Sequence, residues 1–509
     1  MDWKHGYFAD GGYTFGYYPE TMPSRLRWAT LIQGHITPAL KFRYLDAGCG
    51  QGLNLILAAA AHPESEFIGI DFLPEHIAHA RALAVACKVK NVTFFERDFL
   101  DLASEGPALG EFDFIVCHGI TTWIAPEVRK ALFSFIDQTL KPGGVFYNSY
   151  NTFPGWLGTV PFQHLTLIEQ RQNSGLRALE AAKKHINTLK EVAPSMINAL
   201  PALESRLKML DQQDSSYLVQ EYNNRYWKPV FVSEMIDELA SFKLSYLGTT
   251  TLPEVYNNLL PGAVQDLLNG QESLLLREQI RDYACNQSFR RDLYVKGRMN
   301  AWPGELIELV GDFGVAVNKN KPLPEEGSDY VVRSGTGETY GDRKFYDSII
   351  DLAGNSERGL TVGDIVRSKQ EPYEKLGAIQ AVSMLLYGGW LMPTTPSDLQ
   401  YDSSGVSANS HIARAVCRGA PYRHVCVPKL GGALPMSDTE WMMLDCYFRD
   451  IPPSHWPHEV KQCLAKLSRR LLHNGQPVED AESIDGLLEQ NSSEFLAKNL
   501  PFLKMYSAA

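Results

Sequence analysis

The amino-acid sequence predicts an α/β fold on a doubly wound parallel sheet, and three observations carry that prediction. The first is the run YLDAGCGQGLNLILAA, Tyr44 to Ala59, a strand, a glycine turn and a helix start in one piece. The second is an acid at the tip of the next strand. FIGIDF ends on Asp71, nineteen residues beyond Gly52, where such sheets hydrogen-bond the ribose of an adenosine-type cofactor. The third is rhythm: apolar strands return roughly every 22 to 30 residues with helix-compatible sequence between them, which is β-α-β alternation.

Taken in order, Phe42, Tyr44 and Leu45 form a short buried strand. Asp46 to Gly52 is too rich in glycine for strand or helix, and Leu53 to Ala61 is a strong helix former. Alternating Gly48, Gly50 and Gly52 let the backbone turn sharply and let a ligand approach without meeting a Cβ. Val92, Phe94 and Phe95 form the next strand after FIGIDF, and Asp98 closes it. Phe112 to Pro126 is an apolar strand emptying into a loop; Pro142-Gly143-Gly144 then turns the chain into a strand over Val145 to Ser149.

The glycine turn reads G-x-G-x-G, with an acid two residues ahead of the first glycine. A dinucleotide site has G-x-G-x-x-G and cradles a pyrophosphate. The Asp46 carboxylate would repel that group but suits a cationic aminoacyl group. Both the missing glycine and the acid oppose an NAD-dependent oxidoreductase. In spacing and acid the turn resembles motif I of class I S-adenosylmethionine (SAM) methyltransferases. That resemblance implies SAM as cofactor, S-adenosylhomocysteine (SAH) as product, and a Rossmann-like sheet. It implies a cofactor set of Asp46, Gly48, Gly50, Asp71, Phe72, Asp98, Phe99 and His118, with the Asp98 side chain at the adenine amino group. The aromatic N-terminal arm is either a flap or simply packed on the core, and Tyr13 and Tyr17 are its expected cofactor contacts.

Two loops are more specific. His118 to Trp156 resembles bacterial protein-lysine methyltransferases of the kind that act on rickettsial outer-membrane proteins. Those carry HGIYSW(V/I) after the fourth strand and SYN-x-x-PGW after the fifth; the counterparts here are His118 to Trp123 and Ser149 to Trp156. Tyr217 to Glu254 resembles that family's methyltransferase regulatory region. The resemblance covers most of the chain, specifically over the first 160 residues and diffusely beyond. It implies methyl transfer to a protein lysine. The family's Tyr-Ser is Thr121-Thr122 here, at a position expected to face the substrate. That departure keeps a sugar or small-molecule hydroxyl or amine open as the alternative acceptor.

Methyl transfer from a sulfonium is an in-line displacement in which positioning does most of the work. An acceptor lysine must also lose a proton, and an aromatic, desolvated slot lowers its pKa. Trp123 and Tyr150 are expected to line that slot, with Asn151 steering the acceptor through its amide. Strict alternation places Tyr147 with Ser149 on one strand face, and Tyr147 ranks below Tyr150. His118 reads either as a proton acceptor or as a loop anchor. Cys117-His118-Gly119 is not the (N/D)-P-P-aromatic sequence of amino-nucleobase methyltransferases.

The domains are expected at 1–300 for the methyltransferase unit, 301–400 for a winged-helix-like unit and 401–509 for a mostly helical one. Within the first lie an arm at 1–40, a helical insertion at 160–215 and a regulatory-like stretch at 217–256. Pro303 to Gly327 reads as loop, and Thr394 to Ser410 as a polar connection. The helices of the middle unit lack a Lys/Arg cluster, which favours packing or protein contact over DNA. Net charge is −11 with no long basic run, so nucleic acid is not an expected partner. Eight scattered cysteines form no C-x-x-C pair and no metal spacing, and no metal is expected. With no apolar run of membrane length, the expected location is cytoplasmic. The partner is a protein lysine or a small acceptor, and a homodimer stays open. An intact cofactor motif argues against a pure interaction scaffold.

Overall fold

A computed structural model describes residues 15–210, 218, 221–356, 360–395, 401–473 and 476–509. Its centre is a seven-stranded sheet of β1 (Arg43–Ala47), β2 (Glu66–Asp71), β3 (Val92–Glu96), β4 (Phe112–His118), β5 (Leu140–Asn151), β6 (Leu244–Thr249) and β7 (Phe289–Lys296), in the order 3-2-1-4-5-7-6. Strands β1 to β5 run parallel, and β7 runs antiparallel between β5 and β6. The order reverses between β1 and β4, so their carboxyl ends open a crevice at the switch point. This is the Rossmann-like class I methyltransferase sheet expected from the glycine turn.

Helices α1 (Pro23–Leu31), α2 (Leu53–Ala61), α3 (Pro74–Cys87), α4 (Phe99–Glu105) and α5 (Pro126–Thr139) connect and cover the strands. All nine residues of α2 are buried. A helix apolar all round needs cover on both sides. Here the sheet lies beneath, and a hairpin of β13 (His424–Val427) and β14 (Gly432–Pro435) lies above. The Cys426 thiol donates to the Leu57 carbonyl at 3.6 Å across that contact.

The insertion holds α6 (Val160–Glu169), α7 (Leu176–Val192), α8 (Ser195–Ala199) and α9 (Pro201–Leu210). They close a separate small core around Trp156, Phe162, Leu179, Tyr222 and Trp227. Pro194 and Pro201 stand at helix starts, where a missing N–H costs nothing. Helix α10 (Val232–Ala240) and α12 (Leu274–Cys285) then flank β6 and β7, with α11 (Gly262–Asn269) between them in sequence.

Pro303 to Gly327 is not simply loop. It contains α13 (Pro303–Gly311) and β8 (Gly314–Val317). Pro303 sits in the first turn of α13, and Glu305 reaches back to accept from the Trp302 N–H at 3.2 Å, a local start signal. Strands β11 (Leu360–Thr361), β8 and β12 (Leu391–Thr394) form a small antiparallel sheet, while β9 (Tyr330–Ser334) and β10 (Gly337–Gly341) pair separately. Around them lie α14 (Arg343–Gly354), α15 (Val362–Arg367) and α16 (Pro372–Gly388). Helix α16 spends its surface on packing: Trp28 Nε1 donates to Ser383 Oγ at 3.1 Å and Arg25 donates to the Leu386 carbonyl at 2.6 Å.

The expected polar connection before Ser410 turns helical from Ser404. Helix α17 (Ser404–Val416) packs on α2 and α3 and starts where Asp402 accepts from the Ser404 N–H at 2.8 Å. It is followed by α18 (Asp438–Phe448), α19 (Trp456–Lys466), α20 (Ala481–Glu494) and α21 (Leu500–Met505), the last two joined by a π-turn at Phe495–Asn499. Among the described residues no helix is long and apolar enough to cross a membrane.

Candidate active site

Two neighbouring clefts meet at the glycine turn. The first is lined by Gly48, Gly50, Asp71, Phe72, Ile120 and Val128 among others. Its apolar walls suit a flat heteroaromatic ring. The second is lined by Phe15, Tyr18, Asp46, Gly52, Asn54 and His118. Gly48, Gly50 and Gly52 all take positive φ. At Gly48 a Cβ would stand 2.6 Å from Ile120 Cδ1, and at Gly52 2.6 Å from Ala80 Cβ. Both positions therefore require glycine, for conformation and for space.

The two acids divide the work. Asp71 accepts from the Gly50 N–H through Oδ2 and from the Leu73 N–H through Oδ1, each at 2.9 Å, and His76 Nδ1 lies 3.3 Å from Oδ1. It thus ties the turn after β1 to the turn after β2. Asp46 is 5% exposed at the end of β1. Burial, and then the neighbouring Asp71, push its carboxyl up to about 7. A buried acid in that condition accommodates a cation well. Asp98 caps α4 by accepting from the Leu100 N–H at 2.8 Å and, with Phe72 and Phe99, lines the first cleft.

At the mouths of β4 and β5, His118 Nδ1 meets the Tyr147 hydroxyl and Ser149 Oγ, both at 3.0 Å. Tyr18 lies over its ring at 4.0 Å between centroids, and Phe289 approaches edge-on at 6.0 Å. Burial brings His118 down to about 4, with Glu20 opposing and Arg291 assisting. Its imidazole is neutral at neutral pH and a weak base. Glu20 and Arg291 form an ion pair at 2.8 Å beside it. Burial works against ionising Glu20, but Arg291 and His118 outweigh it and hold the carboxyl below its usual range.

Several expected positions move. Tyr150 is fully buried and donates to Asp292 Oδ2 at 2.7 Å, on the sheet face opposite His118. It does not line a slot there; Tyr147, ranked below it, faces His118. Tyr17 turns away from both clefts: its hydroxyl accepts from the Ala433 N–H at 2.8 Å and its ring packs on His424. Its neighbour Tyr18 takes that place, with its N–H on Asn54 Oδ1 at 3.0 Å. Tyr13 lies outside the described residues. Thr121 donates to Asn148 and Thr122 Oγ1 accepts from the Asn151 N–H, at 3.1 and 3.2 Å. Both threonines are buried, so they brace β5 and do not face an acceptor.

Trp123 is half-buried between the first cleft and the small core of the insertion. Asn151 shares the strand face of Tyr147 and Ser149, and its Nδ2 is buried without a hydrogen-bond partner among the described residues. Glu20 and Arg291 carry no local motif, and Tyr18 and Ile120 are not singled out within the arm and the loop that hold them. Glu20 and Arg291 are 271 positions apart and meet only through the fold.

The chain matches two family models, a methyltransferase domain over residues 45–144 and a predicted methyltransferase regulatory domain over residues 214–296. An uncharacterized protein of Synechocystis is 29% identical over 99% of both chains. An uncharacterized protein of Rickettsia prowazekii is 30% identical over 40% of this chain and 82% of its own. Among solved structures, PKMT2 from Rickettsia typhi in complex with AdoHcy superposes with a TM-score of 0.71 at 20% identity, covering 97% of this chain and 99% of that one. That likeness extends the fold agreement over nearly the whole chain. With the methyltransferase-domain match and the acid-flanked glycine turn, the chain is a class I SAM-dependent methyltransferase. It belongs to the family of the Rickettsia prowazekii protein.

Proposed function

We propose that this enzyme transfers the methyl group of SAM to a lysine side chain of a protein. The observation that carries the reading is the mouth beside His118: three aromatic rings, a weakly basic imidazole and the Glu20 carboxylate in one place. The residues fit the cofactor, since a buried acid pushed up to about 7 calls for a cation and an apolar slot lies beside it. Asp46 would hold the aminoacyl group, Asp71 the ribose, and Phe72, Asp98 and Phe99 the base. Bound SAM supplies an electrophilic methyl group. Glu20 attracts an ammonium, and the aromatic rings then favour its neutral form. Asn151 Nδ2 orients what enters.

A base at about 4 is poorly matched to a hydroxyl. Taking the proton of a lysine of ordinary pKa onto it would already cost about 9 kcal/mol, and a hydroxyl is less acid still. An amine that has shed its proton to water on entry needs no base at the moment of transfer. His118 therefore serves best as a hydrogen-bonded wall. Incubation with labelled SAM and whole lysate tests the acceptor: label is expected in the protein fraction as ε-N-methylated lysine after hydrolysis. Label confined to small molecules would move the acceptor to the sugar or metabolite class.

Asp46 gives a pH prediction. A cation bound beside it draws its pKa back down, so cofactor binding below pH 7 releases a proton. SAH affinity is expected to fall by up to tenfold per pH unit below about 7, and Asp46→Asn should flatten that slope. Calorimetry at one acid pH in buffers of different ionisation heat reads the proton directly. The sign for stability is opposite. Asp46 titrates at about 7 in the fold against 3.8 ordinarily, so its favourable contribution to the free protein is lost as pH rises through 7.

A further inference from the structure

Away from the methyltransferase clefts, the ends of α17, α18 and α19 surround an open cleft lined by Arg414, Cys417, Arg418, Asp445, Cys446 and Cys463 among others. Cys417 caps α17, and Cys463 reaches it from α19, its thiol donating to the Cys417 carbonyl at 3.5 Å. Both are partly exposed free thiols, while Cys446 is buried. The Cys417 contact, with Lys466 and Arg469 nearby, brings Cys463 down to about 7 against the effect of burial and Asp445. A downward shift favours the thiolate, the nucleophilic form of the group.

Cys417 also begins a short path to the cofactor turn. Five residues on, the Tyr422 hydroxyl meets His79 Nε2 at 3.0 Å, and His79 Nδ1 meets the Gln51 carbonyl at 2.9 Å. Because a carbonyl only accepts, Nδ1 carries the proton and Nε2 accepts from Tyr422. Phe15 packs against both rings, at 5.1 and 5.3 Å. Gln51 lies between Gly50 and Gly52 in the turn that lines the second cleft.

We propose that Cys417 and Cys463 are a thiol–disulfide pair whose oxidation weakens cofactor binding through Tyr422, His79 and Gln51. The oxidant is a low-molecular-weight disulfide. The Cys463 thiolate attacks one of its sulfurs, breaks that S–S bond and expels one thiolate. The Cys417 sulfur then attacks Cys463 in the mixed disulfide, forms the internal S–S bond and expels the second. Two electrons pass from the cysteines to the oxidant, and the two thiol protons end on the two released thiols. A disulfide fixes its two sulfurs about 2 Å apart. It therefore draws Cys417 toward α19, which packs on α18 and α20, and takes Tyr422 off His79.

The test uses the full chain, glutathione disulfide as oxidant, peptide mapping and SAH calorimetry. A Cys417–Cys463 linked peptide is expected, with SAH affinity falling on the order of tenfold, within the usual range of site coupling, and recovering with dithiothreitol. Cys463→Ser should show neither effect, with Cys417→Ser as the second variant should the first fail to fold. Tyr422→Phe should form the link but lose most of the affinity change. Both thiols still alkylatable after oxidation, a link through Cys446, or a link with unchanged SAH affinity would each overturn the proposal. An undiminished change in Tyr422→Phe would overturn the route through His79.

Discussion

Arg290→Met is expected to destabilise the protein by about 3 to 5 kcal/mol, the cost of leaving buried charge without its partner. Arg290 is 3% exposed. Its guanidinium donates to Asp292 at 2.9 Å, to Asp282 at 2.5 Å, to Glu278 at 2.9 Å and to the Tyr246 hydroxyl at 2.7 Å. Tyr150 closes the same network through Asp292. Arg290 thus bridges three carboxyls under the sheet face opposite His118, with Arg281 adding a second cation 3.6 Å from Glu278. Burial pushes Asp282 up to about 7, against the pull of Arg290, and among the described residues its Oδ2 has no hydrogen-bond partner. Since that value lies above the ordinary 3.8, the stabilising protonation is lost as pH rises through 7. Asp282→Asn should remove that part of the pH dependence. Urea melts at pH 6 and pH 8 read both effects. If Arg290→Met melts like the wild type, the network does not hold β7 in place.

Asp71→Ala is expected to weaken SAH binding by about 2 to 3 kcal/mol, the scale of hydrogen bonds to a charged group, or roughly thirty- to a hundred-and-fifty-fold. The effect has two sources. On the proposed reading the ribose loses its carboxylate, and the glycine turn loses the oxygens that hold Gly50 and Leu73. Asp71→Asn separates them, since its amide keeps one acceptor for the backbone and loses the charge. Calorimetry beside a thermal melt distinguishes a binding loss from a folding loss. Equal SAH affinity in wild type and Asp71→Ala would remove Asp71 from the cofactor site.

The strands and the turn were legible because their signals are local. A Pro-Gly-Gly turn followed by the apolar run Val145 to Tyr147 marks a strand start from consecutive residues alone. Three glycines at positive φ are needed for the turn itself, and one of them is also closed off by Ile120. Helices α13 and α17 were less legible because polar starts and short lengths resemble loop. What caps them is a side chain two or three positions away, and what holds them is packing from distant segments.

The choice between Tyr147 and Tyr150 shows where local reading ends. Alternation puts them on opposite faces of β5, yet says nothing about which face meets His118. That depends on register: Ser149 lies beside His118 in β4 and Arg291 in β7, while Tyr150 lies beside Arg290. Register is set by other strands, β4 some 31 positions back and β7 far along the chain, and a shift of one residue would exchange the faces. The same holds in the arm, where Tyr17 and Tyr18 are chemically alike and only the β13–β14 hairpin decides that Tyr17 is taken up elsewhere.

The sequence by itself determined the class of sheet, the acid-flanked cofactor turn and the paired acids Asp46 and Asp71, because each is written within a few consecutive residues and follows from backbone sterics and charge. The tertiary structure alone decided which aromatic rings stand at the mouth, that Glu20 meets Arg291 there, and that His118 is held neutral. Those properties arise from burial and from contacts between segments far apart in the chain, and neither is carried by any one segment.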